Sequence, residues 1–566
     1  MRSVANLVSN QRTVRTLSGS DVRAGARKKT VMELSRRDVL KVAGLGVVGT
    51  VGAAALPWGG LLDAQTRSLL APRDMPQPFQ MRFRTPPVLR PIARRMDPDG
   101  VPVNLYSVTE RPGVARILPN GLTTTIWGYN GITPGPTIHA TTGHRSVLRV
   151  RNHLPPTNPL LGYESTTSTH LHGSPSLPQY DGYASDVTPP GFYKDYHYPN
   201  TEQAVTLWYH DHGVHHTAEN AYFGLAAQYH IHDDFERRVL PQGEFDVPLT
   251  VRDAIFAPNG ELGFNSSSES GLWGDVILAS GVPWPVMRVK RRIYRFRVLG
   301  AAISRSWRFQ LNNGDPMVVV GTDGGLVPKP QTVSEWRQGV AERYEVLIDF
   351  ARYQPGERVI LRNLSNPNNI EFANTDLVMA FDVTDEPFDH SDRTWNTIPD
   401  TLVTDPCMLL KPSDAVRTRK FQFSHDGGQW RINGKTWEDV TASDFQFCLA
   451  HPGLNDVEIW ELSNPGGGWF HPVHIHLLEF KILERNGRPP FDFELGPKDV
   501  AYIGEGETVK LIMQFAPHSG RYMIHCHNLV HEDHDMMGQF AVGMAAGARD
   551  QNDPMTAAPA KRVRNP

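Results

Sequence analysis

The chain has 566 residues, 40% hydrophobic and 21% charged, with a formal net charge of −3. That length exceeds one ordinary core and sets an expectation of two to four domains. A near-neutral balance without a basic stripe or stacking motif argues against nucleic acid or another polyanion as partner. With 49 Gly, 45 Pro and little helical periodicity, the composition favours turn-rich β structure.

At the N-terminus, residues 32–41 read MELSRRDVLK and are followed by a short Gly/Ala-rich apolar run over 42–56. A basic region, an apolar region and the small residues Ala53, Ala54 and Ala55 form the pattern of a signal peptide. Arg36 and Arg37 after Ser35 resemble a twin-arginine signal, which carries folded proteins across the membrane. Residues 1–65 are therefore expected to be an extension plus export signal, with the protein periplasmic or extracellular. The apolar run is too short for a confident span, so no stable membrane span is expected in the mature chain.

Residues 66–103 are rich in Pro and Arg and read as an extended arm. Strand signals then follow at 123–129, 146–151 and 204–209, separated by turn clusters such as Asn130-Gly131. A second block alternates Tyr294, Phe296 and Val298 with Arg295 and Arg297, and carries a similar alternation over 344–350. A third alternates Val509, Leu511, Met513 and Phe515 with mostly polar residues. The pattern predicts an all-β protein of three β-sandwich domains, 75–240, 245–390 and 410–546, with a Pro-rich linker at 387–412 and a disordered tail at 547–566. Of the three cysteines, Cys407 and Cys448 are either one disulfide or two buried free thiols, and the sequence leaves both open.

Four segments carry metal-ligating chemistry: His170-Leu171-His172, His210-Asp211-His212, the run 471–476 (HPVHIH), and the run 520–537 (GRYMIHCHNLVHEDHDMM). With 23 His in the chain, about one HxH is expected by chance. His230-Ile231-His232, which lacks a partner motif, reads as that structural case. The first and third blocks each hold two HxH pairs at similar separation and the middle block holds none, as in a repeated domain whose middle copy lacks ligands. In the last run, strand alternation sends His525 and His527 to one face and Cys526 to the other. Two metal centres would then share one strand. Cys526, His531 and Met536, joined by another His, form the thiolate–imidazole–thioether set that suits copper.

These segments, in this order, resemble the copper-binding motifs of the multicopper oxidases, over about residues 80–545. The likeness to bilirubin oxidases rests on HLHGSPS (170–176), DVTPPGFYKDY (186–196), LWYHDH (207–212), TAENAYFG (217–224), LWGDVI (272–277), AERYE (341–345), WFHPVHIHL (469–477) and IHCHNLVHEDHDMM (524–537); spore-coat laccases share YHYPN (196–200) and GRY (520–522). The resemblance implies three cupredoxin-like Greek-key domains and four coppers per chain. It assigns His471, Cys526, His531 and axial Met536 to a type 1 copper, His170 and His474 to type 2, and His172, His210, His212, His476, His525 and His527 to the type 3 pair. It further implies one-electron oxidation of phenols, aromatic amines or bilirubin-like tetrapyrroles coupled to reduction of O₂ to water, in a monomer. Asp181 and Glu532 match the family's proton-assisting positions, and Trp469 a tryptophan close to the type 1 copper. The exposed edge of His531 is where electrons are expected to enter. His215, His216 and His534 read as second-sphere or surface residues.

Other functions compete with this one. Oxidation of Cu(I) or Mn(II) is expected to bring Met-rich insertions, whereas the 15 Met here are scattered. A copper-free structural scaffold would lack ligands, and all twelve positions are filled.

Overall fold

A computed structural model describes residues 67–563 apart from 266–269, 388–393, 546 and 549; the export signal expected at 1–65 lies outside the described residues. Six sheets make up three sandwiches in chain order. The first combines a five-stranded sheet, in the order Val88–Leu89, Thr137–Thr141, Ala226–His232, Val205–Asp211, Thr169–His172, with a six-stranded one built on Pro102–Ala115. The second holds sheets of seven and five strands, and the third sheets of five and four. The predicted alternations fall on Thr124–Tyr129, Arg145–Asn152, Val205–Asp211, Ile293–Gly300, Arg343–Asp349 and Thr508–Gln514. Arg145–Asn152 alternates half-buried and buried residues, as a strand with one face on the core must. Val205–Asp211 is buried throughout, because its second face packs away from solvent as well.

Two features depart from the sequence expectations, and one open alternative is resolved. The arm at 66–103 is extended but forms structure of its own: Val88–Leu89 pairs in parallel with Thr137 and Ile138, and Ala93–Met96 pairs with the start of Pro102–Ala115. The tail is ordered over 550–563. Lys561–Arg562 adds to Phe192–Tyr198, whose outer edge offers unpaired backbone groups. Arg521 holds the preceding turn through Asp553 at 2.5 Å and Asp550 at 3.4 Å. Composition missed this because the anchors are a backbone edge, one cation and an isolated apolar contact by Met555, not a run of apolar residues. Cys407 and Cys448 are free, the first buried in the turn Pro406–Leu409 and the second half-buried.

Buried ion pairs lock the sandwiches together. Arg295 and Arg297, from the second, meet Glu236, Asp246 and Glu345, all at most 6% exposed. Lys498, from the third, lies 2.8 Å from Asp323 and 2.9 Å from Glu342 of the second. Such pairs fix geometry more than they add stability, because desolvation offsets much of the attraction.

Candidate metal centre

The strand Gly520–Cys526 pairs with His471–Ile475 so that Val473 faces Cys526 and His474 faces His525. Cross-strand partners share a face. Val473, Ile475, Tyr522, Ile524 and Cys526 all point into the core of the third sandwich. The opposite parity sends His474, His476, His525 and His527 outward, toward the first sandwich. There Thr169–His172 pairs with Val205–Asp211, bringing His170 opposite His210.

On the core face, Cys526 Sγ lies 3.4 Å from His471 Nδ1 and 3.8 Å from His531 Nδ1, and the two nitrogens are 3.4 Å apart. Met536 is fully buried in the same core, and its carbonyl accepts from the Cys526 N–H at 3.1 Å. Burial pushes the Cys526 thiol well up and His471 down to about 3. His471 is thus a neutral imidazole at any physiological pH, the form a metal requires.

On the outward face eight imidazoles converge, all at most 1% exposed. Five of them have their far nitrogens held. His170 Nδ1 donates to the Asp181 carbonyl, His210 Nδ1 to the Asp211 carbonyl at 2.7 Å and His474 Nδ1 to the Asp499 carbonyl at 2.8 Å. His172 Nε2 donates to Asp499 Oδ1 at 3.0 Å, and His476 Nδ1 to Asp181 Oδ2 at 2.8 Å. These partners fix each tautomer, so the near nitrogens carry bare lone pairs. His170 Nε2 and His474 Nε2 face each other at 3.4 Å, and His525 Nε2 lies 3.2 Å from both His212 Nε2 and His476 Nε2. His172 Nδ1, His210 Nε2 and both His527 nitrogens are buried without a hydrogen-bond partner among the described residues. Facing lone pairs repel, and buried orphan ones are costly; cations between them remove both penalties. The donor set therefore fits metal ions: imidazoles alone on one side, and thiolate, imidazole and thioether on the other.

Two carboxylates flank the imidazoles. Burial raises the Asp181 carboxyl, partly opposed by His170, and its Oδ1 has no hydrogen-bond partner among the described residues. Glu532 lies with Oε2 2.9 Å from His525 Nδ1 and Oε1 3.6 Å from His212 Nε2. Burial alone would raise it, but His525 and His212 hold it below the ordinary range.

Sequence reasoning missed two groups. Asp499, which orients His172 and His474, is itself gripped by Arg343 at 2.7 and 2.5 Å. The sandwich without ligands thus helps to build the centre, and AERYE (341–345) was the available signal. Trp430 stacks on His531 at 3.7 Å, with no motif to mark it. Trp469 meets the same ring edge-on at 5.3 Å and stacks on Trp273 at 5.9 Å. The His531 edge is not exposed as expected: the ring is fully buried, and its Nε2 donates to the Ser270 carbonyl at 3.1 Å. The half-buried Trp469 is the more open of the two rings against His531. His215, His216 and His534 lie apart from both clusters, His216 stacked on Tyr163 and His534 donating to the Val530 carbonyl.

Comparison with known proteins agrees with this chemistry. Multicopper oxidase family models match residues 114–235, 232–381 and 410–545. The chain is 40% identical over 485 residues to a bilirubin oxidase of Albifimbria verrucaria, covering 82% of this chain and 81% of that protein. It is 33% identical over 509 residues to a laccase of Bacillus subtilis, covering 80% and 96%. Among solved structures, a laccase from Pediococcus acidilactici superposes with a TM-score of 0.70 at 28% identity, covering 84% of this chain and 99% of that one. With its three cupredoxin-like sandwiches and its thiolate and imidazole clusters, the chain belongs to the multicopper oxidase family, four-copper oxidoreductases that use O₂ as electron acceptor.

Proposed function

We propose that the chain takes single electrons from small phenols, aromatic amines or bilirubin-like tetrapyrroles through the tryptophans beside His531. In this reading His471, Cys526, His531 and Met536 hold the type 1 copper, His170 and His474 the type 2, and His172, His210, His212, His476, His525 and His527 the type 3 pair. The bound coppers supply one-electron redox steps and the reduction of O₂ to water. The chain's own part is to hold, connect and protonate. Cys526 is covalently continuous with His525 and His527, so one backbone segment joins the two clusters. Asp181 keeps His476 in one tautomer through Oδ2 and has Oδ1 available to accept a proton and pass it on through water. Glu532, between His525 and His212, is suited to the same task.

The observation that carries the aromatic reading is the indole cluster of Trp430, Trp469 and Trp273 around His531, which favours a flat π donor over a hydrated ion. The test is O₂ uptake by copper-loaded protein with bilirubin, a dimethoxyphenol and Cu(I). Faster turnover of the aromatic donors, together with a blue thiolate absorption, is expected. Turnover of Cu(I) alone would overturn the aromatic reading, and absence of the blue band with all coppers bound would overturn the ligand assignment.

The sequence around Arg36-Arg37 supports export of the folded monomer by a twin-arginine route. Replacing both arginines by lysine should leave active enzyme in the cytoplasm; unchanged export would rule this out.

A further inference from the structure

A third histidine cluster lies outside both clusters of the metal centre. Thr137–Thr141 and Ala226–His232 pair in parallel with His139 beside His230 and Thr141 beside His232. His139, His230 and His232 therefore project from one face of the sheet, and one nitrogen of each lies within 4.8 Å of the others. Sequence spacing offered only the HxH at 230–232, because its third member comes from a strand about 90 residues earlier and is placed by the sheet register.

Each tautomer can be read from its partners. Gln228 donates its amide N–H groups to Thr250 Oγ1 and to the Arg297 carbonyl, so its Oε1 must face His230 Nε2, 2.7 Å away. His230 Nε2 thus carries the proton. Its Nδ1 is a bare lone pair, buried and without a hydrogen-bond partner among the described residues. Glu236 Oε2 accepts from His232 Nδ1 at 3.2 Å, which leaves His232 Nε2 bare. That nitrogen lies 2.8 Å from His139 Nδ1, a hydrogen-bond distance, so one proton sits between them, which a bound metal ion would replace as the two rings move slightly apart. The carboxylate behind His232 and the amide behind His230 are partners of the kind that orient metal-binding imidazoles. Beyond them, Arg295 and Arg297 face Glu236, Asp246 and Glu345, two positive charges against three negative. Arg237 adds a third positive charge near His139, so the charges around the cluster balance.

From this geometry we infer that His139, His230 and His232 form a separate site for one divalent transition-metal ion of the zinc or copper(II) type. Three neutral imidazoles without a thiolate suit either ion, with a remaining coordination position for water. His139 is exposed while His230 and His232 are 1% and 3% exposed, so the site opens to solvent on the His139 side. His139 is thus the ligand on the solvent side, stacked on His232 with ring centroids 5.1 Å apart.

The test uses copper-loaded holoenzyme titrated with Zn²⁺, with metal content measured after desalting and affinity by calorimetry. One ion beyond the four coppers is expected per chain, either a fifth copper retained from loading or Zn²⁺, and bound Zn²⁺ should be displaced by added Cu²⁺ in keeping with the usual affinity order. His139→Ala and His230→Gln should each weaken Zn²⁺ binding at least about 10-fold, with the blue absorption unchanged as the control for folding. Because His139 is exposed, its variant keeps the test decisive if His230→Gln fails to fold. Absence of an additional ion in the wild type would overturn the proposal, and so would Zn²⁺ binding undiminished by His139→Ala.

Discussion

Asp181 illustrates how one side chain can serve both geometry and proton transfer. Its Oδ2 fixes His476, and its Oδ1, 3.5 Å from His170 Nδ1, has no hydrogen-bond partner among the described residues. Asp181→Asn keeps a hydrogen-bonding oxygen but removes the proton-accepting charge. It should leave the blue absorption intact while slowing O₂ turnover about 100-fold, the lower end of what general acid–base catalysis contributes; steady-state O₂ uptake at saturating donor is the check. Met536 tests the opposite cluster. A thioether there stabilises the oxidised metal more than an alkyl group can, so Met536→Leu should raise the type 1 potential in a redox titration while the thiolate band persists. Trp469 tests the donor side. Trp469→Ala should lower kcat/KM for a dimethoxyphenol without changing the blue band, whereas an inert substitution would move the electron path to Trp430.

At the scale of single elements, the decisive feature is parity. In Gly520–Cys526 and His471–Ile475, odd and even positions serve different clusters, and the register Val473 to Cys526 aligns the two strands. A one-residue slip would exchange the faces and destroy both sites. The strand Pro102–Ala115 of the first sandwich carries a separate consequence. Its Glu110 is fully buried, accepts from Thr167 Oγ1 at 2.7 Å, and is pushed up to about 8 by burial, then by Asp211. The unfolded chain releases this proton near pH 4.5 while the folded chain keeps it to about pH 8. Stability contributed by this group is therefore fully present below the unfolded value and lost as pH rises, by up to about 5 kcal/mol at roughly 1.36 kcal/mol per pH unit. Glu110→Gln, which does not titrate, should gain Tm relative to wild type between pH 5 and 8. A pH-independent difference would show that Glu110 is ionised in the fold.

Across the whole molecule, the middle sandwich acts as a brace. Its Arg343 grips Asp499, which orients His172 and His474, and Lys498 ties the same segment to Asp323 and Glu342. Removing the guanidinium strands a buried carboxylate. Arg343→Met should therefore cost about 3–5 kcal/mol and lower copper content at the imidazole cluster, with the thiolate absorption at Cys526 retained. Metal analysis alongside the blue band separates this from general unfolding.

The sequence by itself determined the chemistry. The run 520–537 and the HxH pairs specified a thiolate centre and an imidazole centre, and strand alternation around Cys526 separated them, while His471 as the second imidazole of the thiolate centre came from the family resemblance. That was legible because alternation and ligand type are local properties. Alternating apolar residues likewise announced most of the strands named above. What only the tertiary structure decided are relations between distant segments, set by register and sandwich packing. Those relations place Trp430 on His531, Arg343 behind Asp499 and His139 beside His230. They also hold the tail against an open sheet edge. Trp430, Asp499 and His139 belong to no periodic pattern or metal-ligand spacing, because each owes its role to what the fold brings opposite it.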